Sequence, residues 1–182
     1  MKFGILFTIL FCLNFHCQSF HIYEDKNVKI ELKKSSISVN DIKNAIPIIY
    51  LVTNKDNNDM IVGQYGFSPD KSIIYDENNK EVDFRRKRLF DGYPAQFEDN
   101  ECSEIFIKIG KNKTVEIELG LYKFLSFDFD FDETKEYLLR VFSRHNERTA
   151  TLQGCSKFIT EEKKKGSTIL DVFIEKMIPL TK

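Results

Sequence analysis

Apolar and charged side chains alternate at residues 28–33, where Val28, Ile30 and Leu32 interleave with Lys29, Glu31 and Lys33. A period of two sends alternate side chains to opposite faces of an extended chain, so this stretch predicts a strand with one buried and one wet face. Residues 46–52 are apolar almost throughout and carry Pro47 near their start. They are too short for a helix and read as a central strand covered on both faces. The run Asn54-Lys55-Asp56-Asn57-Asn58-Asp59 then marks a turn, because these side chains bond their own backbone. A return strand is expected from Met60 to Tyr65.

The same reading continues along the chain. Residues 72–75 and 81–84 flank Asp76-Glu77-Asn78-Asn79-Lys80 as a hairpin, and residues 105–109 and 114–119 flank Gly110-Lys111-Asn112-Lys113 as another. Residues 85–104 hold a basic block, Gly92 and Pro94, and read as loop with an edge strand. Strands are expected at 125–131, at 136–144 with Leu139 and Val141 on one face, and at 157–159. The turn-like Lys163-Lys164-Lys165-Gly166 and residues 168–178 complete a closing hairpin. About eight or nine short strands at this spacing, without a clear amphipathic helix, predict an all-β, two-sheet antiparallel sandwich, with a small barrel as the alternative.

Composition supports sheet and narrows the compartment. Seventeen Phe and seven Tyr stand against no Trp and eight Gly, and aromatic residues suit a pleated, half-buried surface. Lys2 followed by the uncharged apolar run Phe3–Leu13 has the form of a secretory signal and is too short to span a bilayer comfortably. Residues 1–19 are therefore expected to be a signal peptide and 20–182 a single domain, periplasmic, envelope-anchored or secreted. Cys17 and Ser19 at the −3 and −1 positions place the cut before Phe20, and lipidation at Cys17, the only expected link to a membrane, is the competing reading. Cys12 leaves with the leader, so the domain keeps Cys102 and Cys155, which in an oxidising compartment are expected to form one disulfide. Such a bridge contributes about 3 to 4 kcal/mol. The formal charge of −1 becomes −2 when Lys2 is lost (−1 minus +1), so no global field favours nucleic acid.

Several strings together resemble immunoglobulin-like domains of exported bacterial proteins: Val52-Thr53-Asn54-Lys55-Asp56, the Tyr-Asp-Glu-Asn-Asn-Lys-Glu hairpin from Tyr75, Gly110-Lys111-Asn112-Lys113 before an alternating strand, and Lys135-Glu136-Tyr137-Leu138-Leu139-Arg140-Val141. The resemblance spans most of residues 28–178 and implies an immunoglobulin-like sandwich used for binding or scaffolding. It also implies that Tyr137 starts a late strand and bonds its hydroxyl back to the chain. Two departures accompany it: there is no Trp, and Cys102 and Cys155 do not fall on the strands that an antibody-type bridge joins.

The chemical candidates are few. Phe127-Asp128-Phe129-Asp130-Phe131-Asp132, in a strand, buries three rings and aligns Asp128, Asp130 and Asp132, a conceivable calcium ladder but more simply a solvated acidic face. An EF-hand is excluded, because the positions that need Gly and Glu hold Glu133 and Leu139. Arg85-Arg86-Lys87-Arg88 on a loop suits an acidic partner, but it reads more simply as a solvated edge paired with acids such as Asp83 and Asp91, and it has no interleaved aromatic platform for nucleic acid. His145 is the only histidine within the expected folded body and reads as a solvent-exposed strand end. No H-E-x-x-H, G-x-S-x-G or glycine-rich phosphate loop occurs. The expectation is a non-enzymatic protein-interaction module without cofactor. A proteinase inhibitor acting through residues 85–104 and a calcium-binding sandwich are the alternatives.

Overall fold

A computed structural model describes residues 19–44, 46–63, 67, 73–82, 97–119, 131–132 and 134–182. β2 (Val28–Leu32), β4 (Ile48–Asn54) and β8 (Thr114–Leu119) form where strands were expected. With β1 (Phe20–Glu24), which was not expected, they make one sheet in the order β1-β2-β4-β8, every pair antiparallel. β3 (Ile37–Ser38), β6 (Ile73–Asp76), β9 (Tyr137–His145) and β11 (Val172–Thr181) make a second, in the order β3-β11-β9-β6. In this sheet only β3 with β11 is parallel.

The two four-stranded sheets send their inward residues into one apolar cluster. Val28, Ile30, Leu32, Tyr50, Val52 and Ile117 come from the first, and Ile74, Leu139, Val141, Ile174, Ile178 and Leu180 from the second. β11 follows the period-two rule closely, with Val172, Ile174, Ile178 and Leu180 inward and Phe173, Glu175, Met177 and Pro179 outward. Lys176 takes an inward register position that is only half-buried. Its Nζ donates to the His21 carbonyl at 2.6 Å and lies 5.2 Å from the centre of the Phe20 ring, so β1 covers this charge.

A third sheet departs from the expectation. β5 (Met60–Gly63), β7 (Phe106–Ile109) and β10 (Thr168–Ile169) lie in the order β10-β5-β7, with β10 parallel to β5. The hairpin expected between residues 105–109 and 114–119 is a turn, with Asn112 at φ 55°, but its two strands do not pair with each other. β8 pairs with β4 and β7 with β5, so these four strands are one long antiparallel ribbon, kinked where residues 54–59 face residues 110–113. Asn54 holds the kink. Fully buried, it donates from Nδ2 to the carbonyls of Asn58 (2.8 Å) and Ile109 (3.0 Å) and accepts from Asp56 N–H at 2.9 Å. A buried amide is tolerated when its hydrogen bonds are made, as these are.

Helices also enter where none was expected. α1 (Val39–Lys43) follows Ser38 and closes a capping box, in which Ser38 Oγ accepts from Asp41 N–H while the Asp41 carboxylate accepts from Ser38 N–H. α2 (Asp99–Ile105) replaces part of the expected 85–104 loop. α3 (Glu147–Leu152) and α4 (Ser156–Lys164) fill the connection between β9 and β11, so α4 stands where residues 157–159 read as strand. α4 buries Ile159 and Glu162, and Lys163 and Lys164 lie in its last turn, where cations complement the helix dipole. Among the described residues there are thus eleven strands in three sheets, mostly antiparallel, where about eight or nine in two were expected. No helix among them is long and apolar enough to cross a membrane.

Candidate functional site

One end of the two large sheets carries a second small core. Register fixes which end: Asn54, Thr114, His145 and Val172 lie at the end where β5, β7 and β10 continue, whereas Phe20, Leu32, Ile48, Tyr137 and Leu180 lie at the other. At the first end Ile61, Cys102, Ile105, Phe106, Ala150, Cys155 and Ile159 pack together, with Phe106 and Phe158 stacked at 5.6 Å. Three separate connections thus build one cap.

The cap is fixed covalently. Cys102 on α2 and Cys155 at the start of α4 form a disulfide, with Cα atoms 5.7 Å apart and both residues fully buried. The bridge therefore joins two connections rather than two core strands. Beside it Gly154 sits at φ +88°, and a Cβ there would come within 2.6 Å of the Phe97 carbonyl oxygen. That close approach lets Phe97 N–H donate to the Gln153 carbonyl at 2.8 Å and ties the chain before α2 to the turn after α3. Glu162 anchors α4. Its carboxylate accepts from Lys165 (2.6 Å), Lys108 on β7 (3.1 Å) and the Ser167 hydroxyl (3.3 Å), and the first two bonds hold it below the usual carboxylate range.

Beside the cap, the end of β9 and the start of β11 form an open pocket of about 490 Å³ with Tyr23 of β1. Arg144, Asn146 and Asp171 supply polar groups and Phe173 an exposed ring. Burial, together with the Asp25 carboxylate that accepts its hydroxyl at 3.0 Å, raises the Tyr23 phenol above its ordinary value.

His145 corrects an expectation. It is only 4% exposed, because β9 keeps its inward parity through Tyr137, Leu139, Val141, Ser143 and His145. Phe67 packs on its ring at 4.2 Å and on Tyr50 at 4.8 Å, making an aromatic bridge across the core. Ser143 Oγ lies 2.7 Å from His145 Nε2. A serine beside an imidazole suits nucleophilic chemistry; here Ser143 is 2% exposed, while His145 is among the residues that line the open pocket. Burial pushes the imidazole down to about 4, which leaves it neutral at physiological pH.

The remaining expected residues divide clearly. Cys17, Arg85, Arg86, Lys87, Arg88, Asp128 and Asp130 lie outside the described residues, as does most of the 85–104 segment. Asp132 is described and exposed, and its Oδ1 accepts from the hydroxyl (2.7 Å) and backbone N–H (2.9 Å) of Thr134, which holds its carboxyl below the usual carboxylate range. Among the described residues no group of three or more His, Cys, Asp or Glu is placed to hold a metal ion. Tyr137 opens β9, and its hydroxyl oxygen accepts from Asp132 N–H at 2.7 Å, with Phe131 edge-on to its ring. The sequence reading missed Leu152 and Phe173, which are 58% and 56% exposed. The signal for Phe173 was available, since inward Val172 and Ile174 force it outward.

Compared with protein families, curated proteins and solved structures, the chain matches none.

Proposed function

We propose that the chain is an exported immunoglobulin-like sandwich without catalytic activity that binds a protein partner through its capped end. Strand order supports the architecture. The runs β2-β4-β8 and β11-β9-β6 correspond to the A-B-E and G-F-C strands of such domains, taken in chain order. Tyr137 supports it independently, starting the F-equivalent strand and bonding back to Asp132. Two residues later, where an antibody domain carries its second bridge cysteine, Leu139 is fully buried, and Phe67 supplies the aromatic centre in place of Trp. On this correspondence the three cap-building segments are connections between strands B and C, before E, and between F and G. Loops of that kind carry function while the sandwich fixes them in place.

The observation that carries the binding reading is the position of the two most exposed large apolar side chains among the described residues. Leu152 lies on α3 within the cap, and Phe173 lies at the rim of the adjoining pocket. Export rests on the leader-like N-terminus and on the disulfide, which persists in oxidising compartments. Phe20, the first residue after the proposed cut, starts β1 at the end opposite the cap. Affinity capture from the envelope fraction tests this reading. The double variant L152A/F173A should lose partner affinity by about thirtyfold or more, and capture unchanged by the double variant counts against it.

A further inference from the structure

The outward faces of β9 and β11 carry two arginines, each with a carboxylate in the same diagonal place. Arg140 stands opposite Met177, and Glu175 lies two residues earlier on β11; Arg140 Nε donates to Glu175 Oε1 at 2.7 Å. Arg144 stands opposite Phe173, and Asp171 lies two residues before it. Buried and exposed positions alternate unbroken from Leu170 through Glu175, so Asp171 keeps the outward parity of Phe173 and Glu175. Diagonal neighbours of this kind are about 7–8 Å apart. Glutamate spans that distance and closes its ion pair. Aspartate is one methylene shorter, and among the described residues neither Arg144 nor Asp171 is engaged in an ion pair. Two opposite charges thus face a gap that neither closes.

Both residues line the open pocket of about 490 Å³, with Tyr23, His145, Val172 and Phe173. The volume lies within the range of about 300–1,000 Å³ found for ligand pockets. Tyr23 and the exposed Phe173 bring two rings to it. His145 borders it while only 4% exposed; its Nε2 lies 2.7 Å from Ser143 Oγ, and no described residue bonds its Nδ1. Buried imidazole nitrogens are ordinarily hydrogen-bonded, so this one is suited to a polar guest. One cation balanced by one anion selects a zwitterion over an ion of either sign, and the rings select an aromatic side chain. We propose that the pocket binds a single aromatic α-amino acid, its carboxylate on Arg144, its ammonium on Asp171 and its ring against Phe173 and Tyr23.

Calorimetric titration of the native protein with L-phenylalanine, 3-phenylpropanoate, phenethylamine and L-alanine tests the assignment. L-Phenylalanine should saturate one site and bind about tenfold more tightly than each of the others. R144Q should remove its advantage over phenethylamine, which lacks the carboxylate, and D171N its advantage over 3-phenylpropanoate, which lacks the ammonium. D171E keeps the charge but has the length that closes Arg140 onto Glu175, so it should pair with Arg144 and weaken L-phenylalanine as much as D171N does. In the unaltered protein, nuclear Overhauser contacts should connect the ligand ring to the rings of Phe173 and Tyr23, a readout that needs no variant to fold. Phe173 belongs also to the proposed partner surface, whereas Arg144 and Asp171 serve this site alone, so failure here leaves the L152A/F173A capture experiment to be judged by itself. Absence of saturable binding, equal affinity for the four compounds, or a D171E protein that binds L-phenylalanine undiminished overturns the proposal.

Discussion

His145 shows how one buried side chain ties stability to acidity. Its imidazole is held neutral by burial, with a pKa of about 4 against 6.5 for the exposed group, while the unfolded chain protonates normally. As pH falls below about 6.5, the unfolded state binds a proton that the folded state refuses, so stability is intact above that value and is lost progressively down to about pH 4. The full loss from this group is about 3 kcal/mol. Urea unfolding at stepped pH should show the decline, and H145Q should flatten it over this window relative to the unaltered protein. Equal slopes for the two proteins would mean that the imidazole titrates normally. The residue's burial was hidden in the sequence because Arg144 and Asn146 flank it, whereas its parity with Leu139 and Val141 placed it inward. Tyr137 was the opposite case: the resemblance implied a hydroxyl bonded back to the chain, without naming the partner, and its oxygen accepts from Asp132 N–H at 2.7 Å.

Among the elements, strands with strict alternation were legible and the cap was not. β2, β8 and β9 follow from local pattern alone, because half-buried strands write their two faces directly into sequence; β4 followed from its apolar run, but it was expected to be covered on both faces and instead alternates buried with half-buried positions. α4 hides its helical period, for its buried stripe runs Cys155, Ile159 and the charged Glu162, and that carboxylate is inward only because Lys165, Lys108 and Ser167 receive it. The ribbon of β4–β5 and β7–β8 was equally concealed, because pairing across some fifty residues is not a local property. The bridge between Cys102 and Cys155, with a sequence separation of 53, was legible as a pairing, but its place between two helical connections was not. By constraining the unfolded chain it contributes about 4 kcal/mol. The double variant C102S/C155S should therefore lower the urea midpoint markedly. Hydrogen exchange in α2, α3 and α4 should rise before exchange in β4 and β9. Uniform acceleration across both cores would contradict a cap stapled as a separate unit.

At the scale of the whole molecule, the chain has two unlike ends. One is a disulfide-fixed cap with exposed Leu152 and Phe173; the other receives the start of β1 and an apolar hollow lined by branched aliphatic residues. Intact mass of the native protein should correspond to a chain beginning at Phe20, or at Cys17 with an acyl addition, and should rise by two hydrogens on reduction. A mass beginning at Met1 with no change on reduction would remove export from the account. The claim on which the rest turns is that partners meet the capped end. Photo-crosslinking decides it most directly, with a benzophenone side chain placed at Leu152 or Phe173 in one pair of proteins and at Lys43 or Thr181, at the far end, in another. A discrete, saturable adduct is expected from the first pair and none from the second; adducts confined to the far end, or equal from both, would rule out the capped end as the partner surface.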